Sequence, residues 1–329
     1  MSQFGTEFCD SFAIARFVDG EWQDPSIEAL RPLELHPAAH VFHYASTCFE
    51  GFKAYRWSDG KARIYRLHDH VARMQKSASS LHLPVPDAEI TAQMVIALVR
   101  AQVDAIPTPP SSLYLRPTLI GTLPNIGAAA SPSTEAMLFV LASPVGDYFA
   151  GGARPLKLLI EEERSRSTEQ LGSTKTGGNY AAALGPTLDA KAKYGVDQVL
   201  FCPKGDVQET GAANFLLVND DELITKSLDS SFLHGMTRAS ILTLAADLGY
   251  KVNEREFTVT ELLEWSKSYE AALSGTAACL TPVGTLVHKG EEVSILDGEA
   301  GPNVEKLRSA LQAIQYGEAP DTHGWLIEV

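Results

Sequence analysis

In STKTGGNYAAAL, Lys175 stands just ahead of the glycine pair Gly177-Gly178, then Asn179-Tyr180 and a helix-compatible alanine run. Glycines let a backbone approach a ligand closely, and the start of the following helix offers partial positive charge to an anion. Lysine is the side chain that forms a Schiff base with a carbonyl cofactor. By itself, such a lysine is more often a solvated loop residue. Further along, DVQETGAANFLLV places Glu209 between two strand-like segments and beside Gly211. A carboxylate there could pair with a surface lysine, but a pyridine-ring cofactor held by a lysine needs an acid opposite its ring nitrogen. HGMTRAS puts Gly235, Met236 and Thr237 at a helix start, and LSGTAAC repeats the pattern with Ser274 to Ala277. Each offers N–H and hydroxyl donors to phosphate or carboxylate, and each is also ordinary capping sequence. One half of the chain therefore carries a lysine, an acid and two anion cradles.

Other chemistries lack their signatures. No G-x-G-x-x-G opens a helix after a strand, and GxxxxGK[ST], HExxH and GxSxG are missing. The nine histidines are scattered, and the four cysteines (Cys9, Cys48, Cys202, Cys279) form neither a CxxC pair nor a cluster with histidine. No metal site and no disulfide framework is expected. A net charge of −14 argues against a nucleic-acid partner and leaves small anionic ligands open. The opening MSQFGTEFCDSFAIARF does not read as a signal peptide, and no apolar run reaches membrane-spanning length, so a reducing, cytoplasmic setting is expected.

At 329 residues, two domains are the better expectation. Asp59-Gly60 signals a hairpin turn ahead of a strand over Ala62 to Arg66. A helix follows, with Asp69 as its cap and Val71, Met74, Ala78 and Leu81 on one face. A second helix runs from Ile90 to Val103 and stops before Pro107. The apolar runs Leu113 to Ile120 and Ala136 to Ala142 read as buried strands. The domain connection is placed at 150–172, between a small N-terminal α+β domain (1–149) and a large C-terminal domain (173–329) carrying Lys175. The second half alternates again: helices at Tyr180–Lys193, Thr237–Leu248 and Val304–Ile314, strands at Leu156–Ile160, Gln198–Phe201 and Asn214–Val218. Strands and helices without a βαβ rhythm point to an α+β class.

From FHYASTCFEGFKAYR through LYLRPTLIGT, LFVLASPVGDYF, KTGGNY and SGTAACLTPV to IQYGEAPDTHGWLIEV, nearly the whole chain resembles the branched-chain aminotransferases. These are fold type IV pyridoxal-phosphate enzymes of the class IV aminotransferase family, with the two-domain architecture shared by D-amino-acid aminotransferase. The resemblance implies that Lys175 is the Schiff-base lysine and the proton shuttle. It implies Glu209 at the pyridine nitrogen, Tyr180 at the phenolic oxygen, and Arg73, Met236, Thr237 and Thr276 at the phosphate. Phe49, Tyr114, Arg116 and Tyr148 would line the substrate pocket, Thr276 and Ala277 would meet the substrate carboxylate, and Tyr44 would reach in across a homodimer interface. STEQLGST stands where many relatives carry a Gly-Gly-Thr-Gly loop before the lysine, and His234 stands where many have proline. Ala212 stands where relatives of the animal type carry a threonine, and Cys279 lacks the second redox cysteine of some animal relatives.

The implied activity is ping-pong transamination between leucine, isoleucine or valine and 2-oxoglutarate. A D-amino-acid or (R)-amine aminotransferase, or aminodeoxychorismate lyase, is the alternative on the same fold. A non-enzymatic binding protein is a more remote one.

Overall fold

The computed structural model describes residues 4–146 and 154–329. Contacts group them into two compact units. The first contains β1 (Ser11–Val18), β2 (Glu21–Trp22), β3 (Ser26–Ala29), α1 (His40–Tyr44), β4 (Thr47–Phe49), β5 (Phe52–Arg56) and β6 (Ala62–Tyr65), followed by α2 (Leu67–Ser80), α3 (Ala88–Ala101), β7 (Ser112–Gly121) and β8 (Ala136–Val145). Its strands pair antiparallel in the order β6-β5-β7-β8-β1-β2, with β3 on β1 and β4 on β7. Along β1, alternate residues take opposite faces, as the two-residue period of a strand requires. Ala13 and Ala15 join the core beneath α2 and α3, while Phe12 and Ile14 pack with Ile120 and Met137. The two helices expected here both form. Asp87 caps α3 by accepting from Ile90 N at 2.9 Å. The cap expected for α2 does not form as read: Arg66 occupies the cap position with φ 53°, and Asp69, in the first turn, pairs with Arg66 Nε at 2.6 Å. A carboxylate one turn into a helix still meets the positive end of its dipole.

The second unit contains β9 (Leu156–Glu161), α4 (Gly177–Tyr194), β10 (Gln198–Phe201), β11 (Asn214–Val218), β12 (Glu222–Thr225), α5 (Met236–Asp247), β13 (Lys251–Glu254), α6 (Val259–Trp265), β14 (Glu270–Gly275), β15 (Cys279–His288) and β16 (Glu291–Ser294). Its eight-stranded sheet runs β10-β9-β15-β14-β11-β12-β13, with β16 on β15. The pairs β10–β9, β9–β15 and β12–β13 are parallel and the rest antiparallel, a mixed sheet. Leu158 and Ile160 face the core that holds α6, and Leu159 faces the side chains of α4. The class is α+β.

The chain crosses between the units more than once. Residues Thr174–Gly177 and Ile314–Val329 group with the first unit, although the sequence places both in the C-terminal domain. Their hydrogen bonds explain the difference. Phe49 N donates to Lys175 O at 3.0 Å, and after α7 (Pro302–Tyr316) the strand β17 (Leu326–Glu328) pairs antiparallel with β6. No helix among the described residues is long and apolar enough to cross a membrane.

Candidate active site

In the first unit the arrangement starts at a proline. The registers β4–β7 (Phe49↔Thr118) and β5–β7 (Phe52↔Leu115) bring Glu50 opposite Pro117 and Gly51 opposite Arg116. Pro117 accepts from Glu50 N at 2.8 Å but has no N–H to return, so the ladder breaks there. Glu50, fully buried, turns to α2. It accepts from Arg73 Nε and Nη2, both at 2.8 Å, and from His70 Nδ1 at 2.6 Å. His70 stacks on Phe52, 4.7 Å between centroids. Burial alone would push the Glu50 carboxyl up. The charge and hydrogen bonds of Arg73, aided by His70, outweigh burial and hold it well below the usual carboxylate range. Burial is also the main influence on His70, and with the nearby Arg73 and Lys175 charges it lowers the imidazole's pKa against the pull of Glu50.

Lys175 meets this helix one turn further on. Its backbone N donates to Ser77 Oγ at 3.1 Å, and Thr176 Oγ1 donates to Thr47 O at 2.7 Å. Lys175 Nζ lies 5.1 Å from the centroid of the Phe49 ring, and the Arg116 guanidinium lies 4.7 Å from the same ring. Arg116 Nη2 donates to Tyr114 Oη at 2.6 Å, and Arg116 Nε is buried with no hydrogen-bond partner among the described residues. Gly51 makes room for the Tyr114 hydroxyl: a Cβ there would lie 2.0 Å from it. Lys175, Phe49, Arg116 and Tyr114 thus share one cluster, with Arg73 and Ser77 on the helix behind. Tyr44, on α1, tilts against His40 at 4.8 Å and donates its hydroxyl to Ile126 O.

In the second unit, Glu209 is 2% exposed. It accepts from Leu233 N and Asn214 Nδ2, both at 2.9 Å, and is ion-paired to Arg166 at 2.6 Å. Asn214 also donates to Leu233 O at 2.8 Å. Gly235 is the N-cap of α5 and provides no side-chain cap, and Met236 and Thr237 open the helix as expected. A Cβ at Gly235 would strike Asn214 Oδ1 at 2.0 Å, so the helix start and the Glu209 network abut. The second cradle differs from its reading as a helix start. Ser274 and Gly275 end β14, and Thr276 and Ala277 form the turn into β15. The sheet register sets Ser274 opposite Asn214, and Ser274 Oγ is buried with no hydrogen-bond partner among the described residues. Tyr180 lies in the first turn of α4, next to Asn179, whose Nδ2 donates to Leu171 O at 2.7 Å. Tyr148 lies outside the described residues. Among the described residues no group of three or more His, Cys, Asp or Glu could hold a metal ion.

The amino-transferase class IV family profile matches residues 47–286. The chain belongs to the class IV aminotransferases. Similar curated members include the probable branched-chain-amino-acid aminotransferase of Streptomyces coelicolor, 38% identical over 98% of this chain and 91% of that one. The branched-chain-amino-acid aminotransferase of Dictyostelium discoideum is 39% identical over 96% and 87%. Among solved structures, a T.th. branched-chain amino acid aminotransferase with pyridoxamine 5'-phosphate superposes with a TM-score of 0.82 at 26% identity, covering 98% of this chain and 99% of that one. The branched-chain aminotransferase of the archaeon Thermoproteus uzoniensis, solved with norvaline, superposes with a TM-score of 0.78 at 25% identity over 97% and 99%.

Four polar residues of this class IV aminotransferase escape a reading of its sequence: Glu50, His70, Ser77 and Arg166. His70, Arg73 and Ser77 recur at helical spacing beside the apolar stripe Val71, Met74 and Ala78, and that polar stripe is a usable signal. Glu50 and Arg166 offer none, because their partners are distant in sequence.

Proposed function

We propose that this class IV aminotransferase moves amino groups between leucine, isoleucine or valine and 2-oxoglutarate, giving branched-chain 2-oxo acids and L-glutamate, with pyridoxal 5'-phosphate as cofactor. The observation that carries the reading is the cluster of Lys175 with Phe49, Tyr114 and Arg116. An aromatic wall suits an aliphatic side chain. A half-buried guanidinium whose Nε–H is buried and unused suits the second carboxylate of glutamate, since buried donors seek acceptors. The relatives' shared name agrees with the aliphatic half.

The donor set fits the cofactor. Arg73 and the start of α5, where the N-cap Gly235 has no side chain to cap it, with Thr237 suit a phosphate, and Glu209 is a buried, triply held carboxylate suited to a protonated ring nitrogen. The buried Ser274 hydroxyl, on the residue opposite Asn214, adds a polar group suited to a ligand. When bound, pyridoxal 5'-phosphate supplies an aldehyde for amine exchange and an electron-poor ring that stores the electron pair left at the substrate α-carbon. Lys175 Nζ would hold the cofactor covalently and, once displaced by the incoming amine, would accept the proton that leaves the substrate α-carbon and pass it on to the cofactor. Glu209 keeps the proton on the ring nitrogen, and Tyr180 orients the phenolic oxygen. Arg73, Met236, Thr237 and Thr276 hold the phosphate. Phe49, Tyr114, Arg116 and Tyr148 line the substrate side, Thr276 and Ala277 bind its α-carboxylate, and Tyr44 belongs to a homodimer contact. Four buried cysteines suit a reducing, cytoplasmic setting.

The visible absorption of the purified enzyme tests the reading. L-leucine is expected to bleach the band of the lysine-bound cofactor, D-alanine to leave it, and Lys175→Ala to lack both band and turnover. Bleaching by D-alanine alone would assign the opposite handedness, and full turnover by Lys175→Ala would remove the lysine from its role. Light scattering on the eluted protein is expected to give the mass of a dimer.

A further inference from the structure

We propose that Arg166 is the positioning residue for Glu209, fixing that carboxylate and the segment leading to Lys175 with a single guanidinium. The inference rests on Glu209 serving the cofactor's ring nitrogen. Arg166 is 3% exposed and lies after β9, in the irregular ERSRSTEQLGST stretch. Its Nε approaches Glu209 Oε1 to 2.6 Å, and its Nη2 donates to Gly172 O at 2.9 Å. The Nε–H does not point along the first contact, which therefore acts as charge on charge.

The surroundings leave little slack. Leu233 N and Asn214 Nδ2 hold the Glu209 oxygens. Gly172 is pressed against the 229–234 loop, where an added Cβ would lie 2.1 Å from the carbonyl carbon of Ser231. Ser173 N donates to Ser230 O at 3.1 Å, and Asp229 fixes the same loop by accepting from Ser231 N at 2.7 Å. Contacts thus run from Arg166 to Glu209, to Leu233, back along the loop to Ser230, then to Ser173 and Gly172, and return to Arg166. A carboxylate buried without a cation neutralises or moves. Removing Arg166 would do that to Glu209 and would also free the carbonyl three residues before Lys175.

The test compares the parent, R166M, R166K, E209Q and the R166M/E209Q double variant. Three quantities are read: affinity of the apoenzyme for pyridoxal 5'-phosphate by fluorescence titration, the pH midpoint of the visible band, and kcat against KM for L-leucine. R166M is expected to weaken cofactor binding by about tenfold or more, to move the pH midpoint, and to lower kcat with KM changed less than about twofold; R166K recovers part of the loss. In the E209Q background, adding R166M is expected to weaken binding by about threefold or less, because its charged partner is already neutral and only the Gly172 contact is lost. R166M that binds and titrates like the parent overturns the inference. So does an undiminished loss in the E209Q background, the mark of a residue that only braces the loop. If R166M does not fold, R166K with and without E209Q is judged by the same criteria. A parent that takes up no cofactor overturns the functional reading and this inference together, whereas a competent parent beside an indifferent R166M overturns the inference alone.

Discussion

Glu50 and His70 make the first unit sensitive to acid in a defined direction. Both are held below their ordinary pKa values of 4.5 and 6.5. Each therefore binds more protons unfolded than folded on the acid side. The sign follows: their stabilisation is complete above 6.5, falls as pH drops below that value while unfolded His70 protonates, and falls again below 4.5 as unfolded Glu50 does. Urea midpoints should decline stepwise with acidification through these values. Glu50→Gln should flatten the lower step and cost about 3–5 kcal/mol at neutral pH, because Arg73 loses its buried counter-charge. A Glu50→Gln enzyme as stable as the parent at neutral pH would contradict this. Such residues are poorly legible in a single sequence. Glu50 and Arg73 stand 23 positions apart, and no spacing rule joins a strand end to a helix face.

At the scale of elements, the break in the ladder opposite Pro117 lets Glu50 turn to α2 and leaves Gly51 facing Tyr114. Gly51→Ala should displace the Tyr114 hydroxyl and with it the partner of Arg116 Nη2. KM for 2-oxoglutarate should rise by about tenfold while the circular dichroism is unchanged, given that one lost charged hydrogen bond is worth ~1.5–3 kcal/mol. An unaltered KM would show that Tyr114 does not set the position of Arg116. The long apolar strands β7 and β8 are legible in the sequence because branched and aromatic residues fit a pleated surface. The strand β15 is not: CLTPVGTLVH contains Pro282 and Gly284, and its register shifts between Val283 and Thr285. Gly284 is required there, since a Cβ would meet Gly298 O at 2.2 Å. The second cradle eludes the sequence for a related reason. Small residues such as Ser274, Gly275 and Thr276 suit a hairpin turn as well as a helix start, and only pairing with the neighbouring strands decides.

For the whole molecule, burial of the thiols argues against redox control through Cys48 or Cys202. Burial, reinforced by the Glu50 charge, pushes the Cys48 thiol up to about 12, and burial carries Cys202 well above its ordinary value. A thiol reagent at about pH 8 should leave both unmodified in the native enzyme and label both once denaturant is added. Rapid native labelling of either would contradict the packing. The path of the chain has a consequence for how the protein is made. Edge β6 is covered by β17, and the segment Ile314–Val329 that supplies this strand to the first unit comes after nearly all of the second. During synthesis the sheet from β9 to β16 has all its strands while β6 still presents an open edge, the kind of template that recruits foreign strands. The half of the enzyme that leaves the ribosome first is therefore the half that closes last.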